Sequence, residues 1–327
     1  MSSVAPGDQV VASPSKSRRI SIPETGALIA VLLVMGVFFA TQSEYFLSGL
    51  NIINILVSAS VIGIVAAPAT LLLISGNFDL SVASGAALIG VTMAWGTAQF
   101  GVPVALLLCV VVGLIIGLIN GVSVTVFGIN ALITTLAMLA ILRGLALVLA
   151  DGQTLMLPDF SWMGNARPFL GIPLPVLIFI GVIIAYGFVM KYTVYGRSMY
   201  AIGANPVAAR LAGIRTKRFV FIAFLLSASS VVIGGLILVS QLGAASPQAA
   251  LGLELTVVTA VILGGASIAG GRGSILGTVL GVFILGVLNN GMTLMSIDSF
   301  WQDVAQGTLL LIAVGFDQVR QRVSNRS

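Results

Sequence analysis

Side chains suited to acid–base, nucleophilic or metal chemistry are scarce in this chain of 327 residues. It has no histidine, and its single cysteine, Cys109, lies in an apolar run, where a small buried hydrophobe is the favoured interpretation. These counts exclude an intrachain disulfide, a cysteine cluster and a histidine-based metal site. We therefore predict no catalytic residue, no metal site and no cofactor in this chain.

A few polar side chains within apolar stretches are candidates for contact with a small solute. Arg143 lies inside such a stretch, where an ionisable residue is a functional-site hypothesis by default. Pairing with Asp151 or with helix-end carbonyls is the simpler interpretation of Arg143. Asn120, Asn289 and Asn290 are amides in apolar segments. Cross-helix hydrogen bonding is the commoner use of such amides, and lining or gating a translocation path is the alternative.

Two acidic residues each stand at the start of an apolar segment. Asp79 precedes one segment and Glu254 another. The exposed N–H groups and the dipole at a helix N-terminus favour an acid there. Helix capping is therefore the favoured interpretation of both residues, and contact with a solute or a gate is the alternative.

The glycine-rich stretch 264–273 superficially resembles a phosphate-binding loop. It lacks the Lys-Ser/Thr ending of such a loop and follows no soluble strand. We reject it as an ATP site. Its glycines are better explained as a break in an apolar segment that lets backbones approach closely.

The elements that position these residues are membrane helices. The chain is 58% hydrophobic and 8% charged, whereas soluble domains carry about 25% charged residues. A spanning helix needs about 20 mainly apolar residues. Ten candidate segments lie near residues 26–41, 52–74, 81–98, 103–126, 131–150, 174–190, 219–240, 255–269, 275–295 and 302–316. The third, eighth and tenth are short, so we predict an all-α polytopic protein with about ten transmembrane or partly inserted helices, eight full spans being the alternative.

The basic residues give this arrangement one orientation. If the N-terminus is cytoplasmic, 13 of the 15 Lys and Arg residues fall on the cytoplasmic side, as the positive-inside rule requires. We therefore predict a multi-pass protein of the cytoplasmic (inner) membrane with both termini in the cytoplasm, and no nucleic-acid partner. Residues 1–23 are predicted to be a disordered cytoplasmic tail, 24–318 the transmembrane domain, and 319–327 a cytoplasmic C-terminal tail.

A short internal similarity suggests an inverted five-plus-five repeat. The sequence Asp-Leu-Ser-Val at 79–82 resembles Glu-Leu-Thr-Val at 254–257. Gly117 and Asn120 have the same spacing as Gly286 and Asn289. Matching segments are five apart, an odd number, so the two halves would have inverted topology, as in many transporters. Chance similarity between two Gly-, Leu- and Val-rich halves is the alternative.

The basic loop at 195–218 contains a short helix with its own start and stop signals. Gly203 is expected to turn the chain, Asn205 is a good N-cap, and Pro206 suits the first helical position. Gly213 is a good terminator. The spacing predicts about two turns of helix lying in the cytoplasm.

This helix must pack on another surface, since it does not span the membrane. Ala209 and its neighbouring alanines offer small contact surfaces, and Arg210 offers a bidentate donor. Docking on a protein is the favoured interpretation. Adsorption to lipid headgroups is the alternative, although such helices usually have a longer apolar face.

Taken together, the motifs resemble the permease subunits of bacterial binding-protein-dependent ABC importers for ribose and related monosaccharides. The resemblance covers residues 25 to 318. It is carried by SGNFDLSVAS at 75–84, NALITTLAMLAILRG at 130–144, YGRSMYAIGANPVAARLAGI at 195–214, LELTVVTAVILGGASIAGGRGSILGT at 253–278 and GVLNNGMTLM at 286–295. Phe78 departs from the pattern of many relatives, which have an aliphatic residue there, so it is a further candidate for the path.

The resemblance implies a set of partners. Two permeases, either two copies of this chain or this chain and a paralogue, would form the pore in the bilayer. A cytoplasmic ABC ATPase would use ATP and Mg²⁺ beneath it, and a periplasmic or extracellular sugar-binding protein would deliver the substrate. The short helix at 203–214 would be the coupling helix that docks on the ATPase.

Two other functions compete with this interpretation. A stand-alone secondary transporter or facilitator for a small polar solute would need ionisable residues deep in the membrane for ion coupling, and Arg143 is the clear case here. An intramembrane enzyme would need a nucleophile–base set or metal ligands, which the sequence does not display.

Overall fold

The computed structural model describes the backbone of residues 24–324 and the side chains of residues 25–318. The predicted N-terminal tail, 1–23, and residues 325–327 lie outside the described residues. The α-helices are α1 Glu24–Gln42, α2 Gly49–Ile74, α3 Val82–Phe100, α4 Val102–Thr125, α5 Ala131–Leu149, α6 Trp162–Asn165, α7 Leu174–Tyr192, α8 Val194–Ala204, α9 Pro206–Leu211, α10 Thr216–Leu242, α11 Leu253–Leu263, α12 Ile275–Leu294 and α13 Ser299–Ser324.

Strands are almost absent from the described part of the chain. Strand β1, Leu155–Met156, pairs antiparallel with β2, Ala244–Ala245, and a 3₁₀ helix spans Pro158–Phe160. The predicted all-α polytopic class is therefore confirmed. Helix α13 continues past the predicted domain end at residue 318 to Ser324.

Each of the ten predicted apolar segments corresponds to a helix. Among the described residues, seven helices are long and apolar enough to cross a membrane: α1, α2, α4, α5, α7, α10 and α12. The other three are α3, α11 and α13, the segments predicted to be short; the prediction is wrong for α3 and α13, which have 19 and 26 residues. Helix α11 has only 11 residues, a length of about 16 Å, so it spans about half of a 30 Å hydrocarbon core.

Helix α3 forms the centre of the molecule. It packs against α4, α5 and α10, and most of its residues are buried. Small residues permit the close approach: a Cβ at Gly117 of α4 would lie 2.9 Å from the Cβ of Ala228 on α10. Without a hydrophobic driving force in lipid, this kind of close packing holds membrane helices together.

The helix contacts follow the predicted inverted repeat for four of the five pairs of spans. Helix α10 packs on α3 and α4, and its counterpart α2 packs on α11 and α12. The pairs α3–α4 and α3–α5 likewise match α11–α12 and α11–α13. The first spans of the two halves depart from the pattern, because α1 packs on α12 whereas α7 packs on α2.

Candidate functional sites

The short helix α9 forms as the local sequence predicts. The side-chain oxygen of Asn205 accepts hydrogen bonds of 3.0 Å from the backbone N–H groups of Val207 and Ala208, and Pro206 is the first helical residue. At the other end, Gly213 has a φ of 84°. The Gly213 N–H bonds the Arg210 carbonyl and the next N–H bonds the Ala209 carbonyl, which is the Schellman pattern of helix termination.

Helix α9 presents a mixed apolar and basic surface. Ala209 alone is buried and packs toward α8 and α10. Val207 is 55% exposed and Leu211 is 86% exposed, and the exposed Arg210 donates from Nε to the Pro206 carbonyl at 3.2 Å. The outer face of α9 is therefore a compact surface that no other described residue covers.

Gly203 has a different role from the predicted one. It lies in the last turn of α8 and does not turn the chain. A Cβ at this position would overlap the carbonyl oxygen of Ile74 and the backbone nitrogen of Gly271. Because only glycine lacks a Cβ, Gly203 allows α8 to lie directly against the C-terminal end of α2 and the loop 264–274.

Tyr200, one turn before Gly203 on α8, reinforces this contact. Its hydroxyl donates a hydrogen bond of 2.8 Å to the Gly273 carbonyl. Burial raises the pKa of the Tyr200 hydroxyl, so the group remains protonated and able to donate. Helix α8 is thus joined to the loop 264–274 by a side chain as well as by backbone packing.

Asp79 is 6% exposed and joins two parts of the fold. One carboxylate oxygen accepts from the N–H and the hydroxyl of Ser81, at 3.1 and 2.6 Å. The other accepts from the hydroxyl of Ser227 on α10, at 2.7 Å. The capping prediction is wrong for Asp79, since Ser81 is the N-cap residue of α3 and the Asp79 side chain bonds no N–H group within the helix.

Asn120 belongs to the same cluster. Its Nδ2 donates to the hydroxyl of Ser81 at 2.9 Å, and its buried Oδ1 has no hydrogen-bond partner among the described residues. Phe78 is half-buried and packs against the apolar cluster that includes Val82 and Val257. The sequence indicated neither Ser81 nor Ser227 as a partner of Asp79, because isolated serines in apolar segments are common.

Arg143 binds a loop that the sequence did not connect with it. Its Nη1 donates to the backbone carbonyls of Pro247 and Ala249, the latter at 3.0 Å. Both carbonyls belong to the connection between α10 and α11, and the predicted pairing with Asp151 is not formed. Carbonyls outside regular structure need donors at membrane depth, and Arg143 supplies them.

Glu254 lies in the first turn of α11, as predicted for an acid at a helix start. The N-cap residue itself is Gly252. Glu254 interacts electrostatically with Arg143, and its buried Oε2 has no hydrogen-bond partner in the described structure. Arg143 and Glu254, which were predicted separately, therefore lie near each other in the fold.

The two asparagines of α12 differ from each other. Asn290 exchanges two side-chain hydrogen bonds of 2.8 Å with Asn51 of α2, the cross-helix use predicted as the commoner one. Asn289 is half-buried, and its Oδ1 is a buried acceptor without a partner among the described residues. Asn289 is therefore the member of this pair whose buried acceptor is unused in the described structure.

Two further polar contacts lie nearby and were missed from the sequence. Gln306 of α13 donates to the hydroxyl of Thr256 on α11. Gln302, one turn earlier on α13, donates to the hydroxyl of Thr293 on α12 at 3.1 Å. Uncharged amides and hydroxyls therefore join α13 to α11 and α12, and groups of this kind can exchange hydrogen bonds with a neutral polyol.

The described residues contain no group of three His, Cys, Asp or Glu side chains placed to hold a metal ion. Asp79 and Glu254 instead have separate environments, one among hydroxyl groups and the other beside Arg143.

Comparisons with known proteins agree on one family. Residues 51–314 match the family model described as branched-chain amino acid transport system / permease component. The chain is 37% identical over 308 residues to the ribose import permease protein of Escherichia coli K12, covering 91% of this chain and 94% of that protein.

Two further relatives show the same extent of similarity. The chain is 37% identical over 297 residues to an L-arabinose ABC transporter permease protein of Azospirillum brasilense, covering 89% of this chain and 87% of the relative. It is 36% identical over 297 residues to the autoinducer 2 import system permease protein of Photorhabdus luminescens, covering 90% and 89%. No solved structure matches the chain.

Proposed function

The chain belongs to the family of branched-chain amino acid transport system permease components, and we propose that it is the permease subunit of an ABC importer for a ribose-like monosaccharide. Two copies, or one copy and a paralogue, form the pore. ATP and Mg²⁺ are used by a cytoplasmic ATPase, and a periplasmic or extracellular binding protein supplies the sugar.

The single observation that carries this proposal is the outer face of α9. Its ends are held by Asn205 and Gly213, and its exposed residues include Val207, Arg210 and Leu211. A rigid, self-terminated helix that leaves a compact apolar and basic face uncovered is suited to a groove on another protein. A two-turn helix offers too small an apolar face for stable adsorption to lipid alone.

The proposed substrate class rests on the relatives and on the polar groups. Relatives at 37% identity are named for ribose and L-arabinose, both monosaccharides. The amides and hydroxyls through which α13 contacts α11 and α12 are uncharged. A path for a neutral sugar should bind weakly enough to release it, and such groups meet that requirement.

The proposed orientation places α9 on the ATPase side. Most basic residues lie on the same side as α9 under the positive-inside rule, which puts both termini in the cytoplasm. Arg143, Glu254 and the connection between α10 and α11 then lie toward the outside, where the binding protein would release the sugar.

Purification of the tagged chain from its native membrane, in mild detergent, tests the assembly. We expect an ATPase to co-purify and native mass measurement to give two permeases in the complex. A complex with one permease and full transport activity would contradict the two-copy pore.

Reconstitution in vesicles tests the function. The purified complex, with the co-purified ATPase and the binding protein encoded with it, should take up radiolabelled ribose only when Mg-ATP is present. L-arabinose and leucine serve as competitors, because the family description includes amino acid transport. Uptake by the isolated chain without ATP would overturn the proposal in favour of a stand-alone transporter.

A further inference from the structure

The connection between α2 and α3, residues 75–81, begins where α2 contacts α8, the helix that precedes α9. Immediately before it, the Ile74 carbonyl accepts a hydrogen bond of 2.7 Å from the Gly271 N–H. Gly203 of α8 lies against the same carbonyl, so that no Cβ can be accommodated there. Helix α8 leads into α9 through Asn205 alone, so α9 and the end of α2 are joined by a short and closely packed route.

The other end of the connection is fastened to α10. Asp79 accepts a hydrogen bond from Ser227 on α10 and two from Ser81 at the start of α3. All three residues are buried. Leaving a buried hydrogen-bonding group without its partner costs free energy, because the group has already been removed from water. The Asp79–Ser227 contact therefore resists separation of the connection from α10.

Helix α10 follows α9 directly in the chain. It begins at Thr216, just beyond the end of α9, and Ser227 lies about 17 Å along it. The connection 75–81 is thus tied to both neighbours of α9 in the chain, to α8 near Ile74 and to α10 through Asp79. A displacement of α9 that is passed to α8 or α10 reaches the connection 75–81 through these two contacts.

We propose that the Asp79–Ser227 hydrogen bond is a transmission contact, which carries movement of α9 through α10 to the start of the central helix α3. Asp79 and Ser227 are positioning residues: they touch neither ATP nor sugar. The inference rests on the proposed function, since it assumes that an ATPase moves α9. It adds the route by which that movement reaches α3 and, through it, α5 and α11, which α3 contacts.

Two serines of α10 provide a matched pair of variants. Ser227→Ala removes the donor to Asp79, whereas Ser230→Ala removes a hydroxyl that donates at 2.7 Å to the Ser227 carbonyl within the same helix. Both serines are buried, so the two variants impose similar packing changes. They differ in whether the link to the connection 75–81 is lost.

The variants are measured in the reconstituted complex with the ATPase and binding protein, with radiolabelled ribose as the probe. We expect Ser227→Ala to assemble with the ATPase and to retain basal ATP hydrolysis, while ribose uptake per ATP hydrolysed falls about tenfold, the effect of losing one buried hydrogen bond. Ser230→Ala should match the wild type, and Ser227→Thr, which keeps a hydroxyl, should recover most of the uptake per ATP.

Equal ratios of uptake to hydrolysis in Ser227→Ala and Ser230→Ala would overturn the inference and leave the proposed function intact. Failure of the wild-type complex to take up sugar with ATP would instead remove the proposed function, and the inference with it. If Ser227→Ala does not reach the membrane, Asp79→Ala replaces it. This variant removes the acceptor of the Ser227 hydroxyl, so the same loss of uptake per ATP is expected; unchanged uptake per ATP would overturn the inference.

Discussion

Asn51 of α2 and Asn290 of α12 are 239 residues apart in sequence, yet each donates its side-chain amide to the other's oxygen at 2.8 Å. Asn51 also donates to the Phe46 carbonyl at 2.9 Å. This reciprocal pair closes the contact between α2 and α12 with polar groups that face each other rather than lipid.

The first prediction concerns the stability of this pair. Asn290→Leu should lower the free energy of unfolding by about 1 kcal/mol, because it leaves the buried Asn51 amide without its partner. The loss of unfolding free energy in the double variant Asn51→Leu/Asn290→Leu should be smaller than the sum of the losses in the two single variants. Equilibrium unfolding in detergent measures all three, and strictly additive costs would show that the two amides do not interact.

The second prediction separates Asn289 from its neighbour. Its buried Oδ1 has no partner among the described residues and would accept from a sugar hydroxyl where the path opens, so Asn289→Leu should reduce ribose uptake about fivefold, the effect of one ordinary hydrogen bond. Co-purification with the ATPase should be unchanged. Normal uptake by the Asn289→Leu complex would remove Asn289 from the path.

The third prediction concerns the C-terminal end of α9. Gly213 has a positive φ of 84° with open space around it, so Gly213→Ala adds strain of about 1 kcal/mol and should distort the face that carries Arg210. We expect weaker association with the ATPase and less sugar-stimulated ATP hydrolysis, and Arg210→Ala should act in the same direction.

Gly128 provides the control for this variant. It has a φ of 73° and equally open surroundings, but it lies in the connection between α4 and α5. Gly128→Ala therefore carries similar strain without touching α9. If both glycine variants lost ATPase association to the same degree, the effect would come from general strain and not from the docking face.

The fourth prediction concerns orientation. Asp159 is exposed in the connection between α5 and α7, which the positive-inside rule places outside. An Asp159→Cys variant should react with a membrane-impermeant maleimide in intact cells. The native Cys109 is fully buried and should give no background. Labelling only after cell lysis would reverse the predicted orientation.

The sequence by itself determined the all-α membrane class, the apolar segments and the short helix α9. Hydrophobicity and helix start and stop signals are local properties, so the ten apolar segments and the ends of α9 at Asn205 and Gly213 follow from neighbouring residues. Of the three segments predicted to be short, only α11 is short, with 11 residues; α3 and α13 have 19 and 26 residues and are instead not apolar enough to be candidate spans. The ordered motifs were also sufficient to indicate the family.

Only the tertiary structure decided which polar residues meet. Asp79 bonds Ser227, 148 positions later, and Arg143 bonds the carbonyl of Pro247, 104 positions later. Gly203 proved to be a packing residue of α8 rather than a turn. In an apolar helix, a serine or glycine can face lipid, a neighbour or a path with nearly the same local sequence. Its role depends on which helix lies opposite, and that is set by the packing of the whole bundle.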